Sequence, residues 1–175
     1  MNQISQSTAA HPSRQPMPGL GNPAREDIRI TRKVRTLIAD DSPLMLRILA
    51  QVLASEGNFT LAGTVTDGRQ AVRRTLNMKP DLVLMDYSLP HINGIEATRY
   101  IKQFQNPPLV IIVTSNDTPE CKAQAKAAGA DGFVVKGGGL HDRLRLVFQE
   151  LFQFPVGPPL GPKSRRRRGR GGQVE

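Results

Sequence analysis

Asp40-Asp41, Asp86, Thr114-Ser115 and Lys136 are the residues of this chain whose types could do chemistry together. Three carboxylates brought close repel one another by about 4 kcal/mol per pair at an effective dielectric of about 20. Such a group either takes up a proton or gathers a cation. Its ligands would be oxygen only, with no histidine in the set, which suits Mg²⁺ completed by water and phosphate oxygens rather than zinc. A lysine ammonium and a threonine hydroxyl suit the oxygens of a phosphoryl group. A carboxylate can itself attack phosphorus and form an acyl phosphate. Nucleophile, cation site and phosphate cradle are therefore all available, provided the fold brings them to one place.

Each of these residues ends a short apolar run. The runs are Val34–Ala39, 82–85, 109–113 and Gly132–Val135, and Phe59–Val65 is a fifth of the same kind. Several are continuous Leu, Ile and Val rather than alternating, as in strands buried on both faces of a parallel sheet. A helical pattern follows each run. Ser42-Pro43 supplies an N-cap with proline at the first helical position, an apolar face from Leu44 to Leu53 follows, and Gly57 is expected to close that helix. The other helices are expected at 68–77, 94–103, 119–128 and 140–152. Five successive strand–helix units imply an α/β fold, a five-stranded doubly wound parallel sheet with right-handed crossovers and helices on both faces. Ligands of such sheets bind beyond the carboxyl ends of the strands, where all the candidate residues fall.

Composition frames this reading. A chain of 175 residues holds one domain and some tail, and its single cysteine, Cys121, allows neither a disulfide framework nor a cysteine zinc site. A reducing cytoplasmic setting is expected, with no secretory signal and no membrane span. The net charge of +9 is concentrated at the ends: residues 1–33 carry five basic and two acidic side chains, 155–175 six and one, and 34–154 thirteen and twelve. The domain expected over 34–154 is thus nearly neutral, which argues against a nucleic-acid module. Residues 1–33 and 155–175 are rich in Ser, Gln, Pro, Gly and Arg without apolar periodicity and are expected to be disordered tails. The run Arg165-Arg166-Arg167-Arg168 leaves contact of the basic tail with nucleic acid as an alternative.

The combined motifs resemble response-regulator receiver domains of two-component signalling. They are Leu37-Ile38-Ala39-Asp40-Asp41-Ser42, Asp81-Leu82-Val83-Leu84-Met85-Asp86, Leu89-Pro90 with Asn93-Gly94, Val113-Thr114-Ser115, and Gly129-Ala130 leading through Phe133 to Lys136. The resemblance implies a flavodoxin-like strand order 2-1-3-4-5 and phosphorylation of Asp86 by a sensor histidine kinase or histidine phosphotransfer protein. It implies Mg²⁺ at Asp41, Asp86 and the Ser88 carbonyl with support from Asp40, a phosphate contact from Lys136, and a switch in which Thr114 and Phe133 move together to alter binding of a downstream protein target. Receivers usually carry proline after the lysine, where this chain has Gly137, and Phe133 lacks the hydroxyl a tyrosine would bring.

Other readings are weaker. Aspartate-nucleophile phosphohydrolases place two aspartates one residue apart on the first strand, whereas Asp40 and Asp41 are adjacent. The region from Ala54-Ser55 to Thr64-Val65 resembles receivers that precede methylesterase domains, but the 21 residues after Phe154 are too few for an output domain, so the chain is expected not to be an enzyme. His11, His91 and His141 are expected to be solvated, and Cys121 a small semi-buried residue.

Overall fold

The structure, a computed structural model, describes residues 32–153. The expected tails, the arginine run and His11 lie outside the described residues, apart from Arg32 and Lys33. The described chain runs β1 (Val34–Ala39), α1 (Pro43–Ser55), β2 (Phe59–Val65), α2 (Gly68–Met78), β3 (Leu82–Asp86), α3 (Gly94–Lys102), β4 (Leu109–Thr114), α4 (Pro119–Ala127), β5 (Gly132–Val135) and α5 (Leu140–Phe152). The five strands are parallel in the order β2-β1-β3-β4-β5, as expected.

The unbroken apolar runs have the predicted cause. Successive strand residues point to opposite faces, so Ile38, Leu84, Ile111 and Val113 pack with Leu49, Leu53, Leu144 and Phe148 of α1 and α5. Their neighbours Leu37, Val83, Met85, Val110 and Ile112 pack on the other face with Ala71, Ile95, Ile101 and Ala125 of α2, α3 and α4. Each fully buried Leu or Ile contributes roughly 1.5–3 kcal/mol of transfer free energy. Four helices start on side-chain caps, with Ser42, Asp67, Asn93 and Thr118 each accepting from the backbone N–H three residues on. Gly57 does not close α1 in a left-handed conformation. The helix ends at Ser55, the Glu56 N–H bonds the Val52 and Leu53 carbonyls, and among described glycines the positive φ values fall at Gly129, Gly137 and Gly139.

Strand polarity sends every carboxyl end to one edge, and the opposite edge is tied separately. The Asp81 carboxylate accepts from Nη1 and Nη2 of Arg32, each at 2.7 Å, and from the Arg35 backbone N–H at 2.8 Å, linking the start of β1 to the start of β3. At the functional edge, α3 begins against the end of β3. A Cβ built on Gly94 would lie 1.9 Å from the Asp86 carbonyl oxygen, so only glycine allows this approach.

Two predictions follow from these contacts. The hydrogen bonds from Arg32 hold the Asp81 carboxyl below its usual pKa of 3.8, against the opposing effect of burial. A depressed folded pKa adds stability that is fully present above the unfolded value and lost as pH falls through the folded one. Asp81→Asn is therefore expected to lower the urea midpoint at neutral pH, with the gap to wild type closing below about pH 4; a gap independent of pH would overturn the linkage. Gly94→Ala is expected to cost about 2 kcal/mol or more through overpacking. An unchanged midpoint in that variant would mean that α3 can shift freely from Asp86.

Candidate functional site

Three strands converge on one ammonium. Lys136, just beyond β5, places Nζ 2.8 Å from Asp40 Oδ2, just beyond β1, and 2.9 Å from Asp86 Oδ1, the last residue of β3. Asp40 is fully buried and Asp86 nearly so, while Asp41 beside them is exposed. Register explains the meeting. Met85 pairs with Ala39 and Asp86 with Val113, so Asp40 and Asp86 end neighbouring strands, and Thr114 lies one residue past the pairing partner of Asp86.

Every candidate residue except Phe133 reaches this edge directly. Thr114 is buried; its Oγ1 accepts the Asn116 N–H at 3.1 Å, and its carbonyl accepts the Lys136 N–H at 2.6 Å. Ser88 lies on the exposed loop after β3. Phe133 pairs in register with Ile112 one strand away and is half-buried, with the Lys122 ammonium of α4 5.8 Å from its ring centre. The Lys136–Gly137 bond is trans, since no described peptide bond is cis.

The electrostatics are those of crowded charge. Burial raises the Asp86 pKa above the usual carboxylate value and Asp40 adds to the rise, while Lys136 and the Ser88 amide oppose it. For Lys136 burial acts downward, but its contacts with Asp40 and Asp86 outweigh that and raise its pKa. One ammonium faces three carboxylates, so the group remains short of positive charge.

The residues fit a divalent cation. One oxygen from each of Asp40, Asp41 and Asp86 lies within 4.8 Å of the others. Asp40 Oδ1 accepts the Ser42 N–H, whereas the buried Asp40 Oδ2 takes no aligned hydrogen bond and meets Lys136 only as an ion pair. An all-oxygen set with spare lone pairs beside an exposed carboxylate matches a hard ion such as Mg²⁺.

Two contributors escaped the sequence reading. Gly94 appears there only as part of a motif, while its role is the close approach to the Asp86 carbonyl. Arg143, in the first turn of α5, grips the carbonyls of Val135 and Gly138 around Lys136. A basic residue at that end of a helix opposes the helix dipole, and this was the available signal. His141, expected to be solvated, is half-buried with Nε2 3.0 Å from Glu56 Oε1 and 3.2 Å from Ser55 Oγ. Cys121 is fully rather than partly buried. Among the described residues no helix is long and apolar enough to cross a membrane.

Comparison with known proteins bears on the same residues. The family model described as "Response regulator receiver domain" matches residues 36–146, more than half of the chain. The protein-glutamate methylesterase/protein-glutamine glutaminase of Symbiobacterium thermophilum is 32% identical over 112 residues, covering 63% of this chain and 31% of that protein. Among solved structures, the response regulator domain of Thermotoga maritima CheB aligns with a TM-score of 0.64 at 27% identity, over 71% of this chain and 100% of that one. The receiver domain of the sensor histidine kinase PA1611 from Pseudomonas aeruginosa, solved with a magnesium ion coordinated in its active site cleft, aligns with a TM-score of 0.61 at 27% identity, over 70% and 99% of the two chains. The expectation that the chain is not an enzyme is corrected by these curated relatives, which are named as enzymes. The chain spans about a third of their length. Fold, strand-end residues and family match agree: the chain belongs to the response regulator receiver domains of two-component signalling.

Proposed function

We propose that this receiver takes a phosphoryl group on Asp86 from a sensor histidine kinase or a histidine phosphotransfer protein, and that the modified form binds a downstream protein differently. The observation that carries this reading is the meeting of Asp40, Asp86 and Lys136 from three separate strands, with Lys136 within 2.9 Å of both carboxylates. Complementary charges brought from three strand ends to one point are the arrangement that phosphoryl transfer requires.

In this reading an Asp86 carboxylate oxygen forms the new bond to phosphorus as the donor's phosphorus–nitrogen bond breaks, and the leaving imidazole takes up a proton. The group becomes an acyl phosphate, and the protein acts mainly by position and charge. Asp40, Asp41, Asp86 and the Ser88 carbonyl would hold Mg²⁺, which when bound offsets charge on the transferring oxygens. Lys136 follows the charge from the Asp86 oxygen to a phosphoryl oxygen. The Thr114 hydroxyl, which accepts from the Asn116 N–H in this structure, instead donates to a second phosphoryl oxygen. Phe133, on the neighbouring strand, moves with it and alters the surface around α4, β5 and α5.

Intact-mass analysis after incubation with acetyl phosphate and Mg²⁺ tests this. Wild type is expected to gain one phosphoryl group, lost on adding EDTA before the donor and absent in Asp86→Asn. If wild type shows neither an adduct nor chemical-shift changes around Asp86 and Thr114 with beryllofluoride, the phosphoacceptor reading fails.

A further inference from the structure

The backbone that follows Lys136 is built from freedom rather than stiffness, whereas the residues before it belong to β5 and the Lys136 N–H donates to the Thr114 carbonyl. Gly137-Gly138-Gly139 follows it, with φ of +120° at Gly137 and +74° at Gly139, and no proline restricts the turn. Glycine has the largest conformational entropy to lose on folding. α5 then begins at Leu140 behind Gly139 as its N-cap, with no side-chain cap, unlike the four other described helices. A lysine that must hold its ammonium against two carboxylates is thus anchored by β5 on one side only and runs into a glycine loop on the other.

Arg143 supplies what that segment lacks. Its Nε and Nη2 donate to the Val135 carbonyl at 3.1 and 2.8 Å, and its Nη1 donates to the Gly138 carbonyl at 2.7 Å. The first carbonyl belongs to the residue immediately before Lys136, and the second lies two residues after it. Val135 ends β5, which among the described residues has no neighbouring strand on its outer side. The Gly137 carbonyl accepts the Leu140 N–H, and the Gly139 carbonyl accepts the Arg143 N–H, so the grip closes on itself through the first turn of α5.

Neither helix stability nor ion pairing accounts for this arginine. A cation in a first helical turn opposes the macrodipole, and all three side-chain bonds go to backbone carbonyls rather than to a carboxylate. A rigid planar fork with several donors can hold two carbonyls at once, which a lysine ammonium cannot do in the same geometry.

We infer that Arg143 is a positioning residue for Lys136: its guanidinium clamps the Val135 and Gly138 carbonyls and so fixes the ammonium against Asp86. The inference rests on the reading of Asp86 as phosphoacceptor only for its effect on rate; the clamp itself is a property of the unmodified protein.

The test compares wild type, Arg143→Ala and Arg143→Lys at a temperature where all are folded by circular dichroism. Two readouts are taken: amide hydrogen exchange at Lys136 by NMR, and the rate of Asp86 phosphorylation by acetyl phosphate with Mg²⁺. In Arg143→Ala the Lys136 amide is expected to exchange at least tenfold faster, and phosphorylation to slow by about ten- to a hundredfold, the cost of a misplaced group. Added methylguanidinium is expected to restore much of the rate, which a general loss of stability would not permit. If the alanine variant does not fold, Arg143→Lys decides: a severalfold loss in both readouts supports the clamp. Unchanged exchange and rate in the folded variants would overturn it. A wild type that takes no phosphoryl group and gives no response to beryllofluoride would defeat the phosphoacceptor reading alone, leaving the exchange comparison to judge the clamp.

Discussion

The ammonium of Lys136 lying between Asp40 and Asp86 is the interaction on which the functional edge depends. Asp40 is fully buried, and an ionised carboxylate in that position is tolerated only with a partner. Removing one member of such a buried pair typically costs about 3–5 kcal/mol, because the remaining charge is left uncompensated. Since the three residues lie at the carboxyl ends of three strands, that cost also ties the ends of β1, β3 and β5 together. The compensation is incomplete, because Asp41 adds a third negative charge at the exposed side of the group. The fold therefore tolerates a site that favours additional positive charge, and phosphoryl transfer needs that condition for its own anionic oxygens.

The rest of the architecture keeps this group open on one side and fixed on the others. Parallel strands send their carboxyl ends the same way, and helices on both faces seal the flanks with Leu, Ile and Val. The loop that carries Ser88 is held between two helix starts. A Cβ on Gly68 would fall 2.0 Å from the Ile92 carbonyl oxygen, just as one on Gly94 would strike Asp86. The Gly68 N–H also bonds the Pro90 carbonyl, and the Gly94 N–H bonds that of Tyr87. Contacts this close let backbone rather than side chains define the walls, so the loop after Asp86 is set by the positions of α2 and α3.

What could be read from the sequence was whatever short-range pattern controls. Apolar runs ending in Asp40, Asp86, Thr114 and Lys136 gave both the strands and the composition of the site, because a parallel sheet places successive strand ends side by side. Helix starts were legible at Ser42-Pro43, where cap chemistry is local. Less legible were features set by distant neighbours. Gly57 looked like a helix terminator, yet Glu56 ends α1 by bonding back to Val52 and Leu53. His141 carries no sign in its own surroundings of the Glu56 carboxylate that meets it from 85 residues away. Arg143 resembles any surface arginine until the glycine loop folds back over it. The expectation about enzymatic activity failed for a different reason: residues of a receiver report only on the receiver, whereas the relatives that match it are longer enzymes.

The proposed switch also has a scale that can be argued from contacts. α4 is tied to the site by the Tyr87 hydroxyl, which donates to Gln124 Oε1 at 2.9 Å, and by the Lys122 ammonium over the Phe133 ring. Lys122 is shared, since it also pairs with Asp117 on the loop before the helix. Each of these exposed or half-exposed contacts is worth about 1 kcal/mol or less. A new phosphoryl group offers charge-assisted bonds to Thr114 and Lys136, each worth roughly 1.5–3 kcal/mol. The pull at the acceptor is therefore comparable to or larger than the ties that hold α4. A switch needs that balance: ties strong enough to define the unmodified state, and weak enough for one covalent group to shift the population.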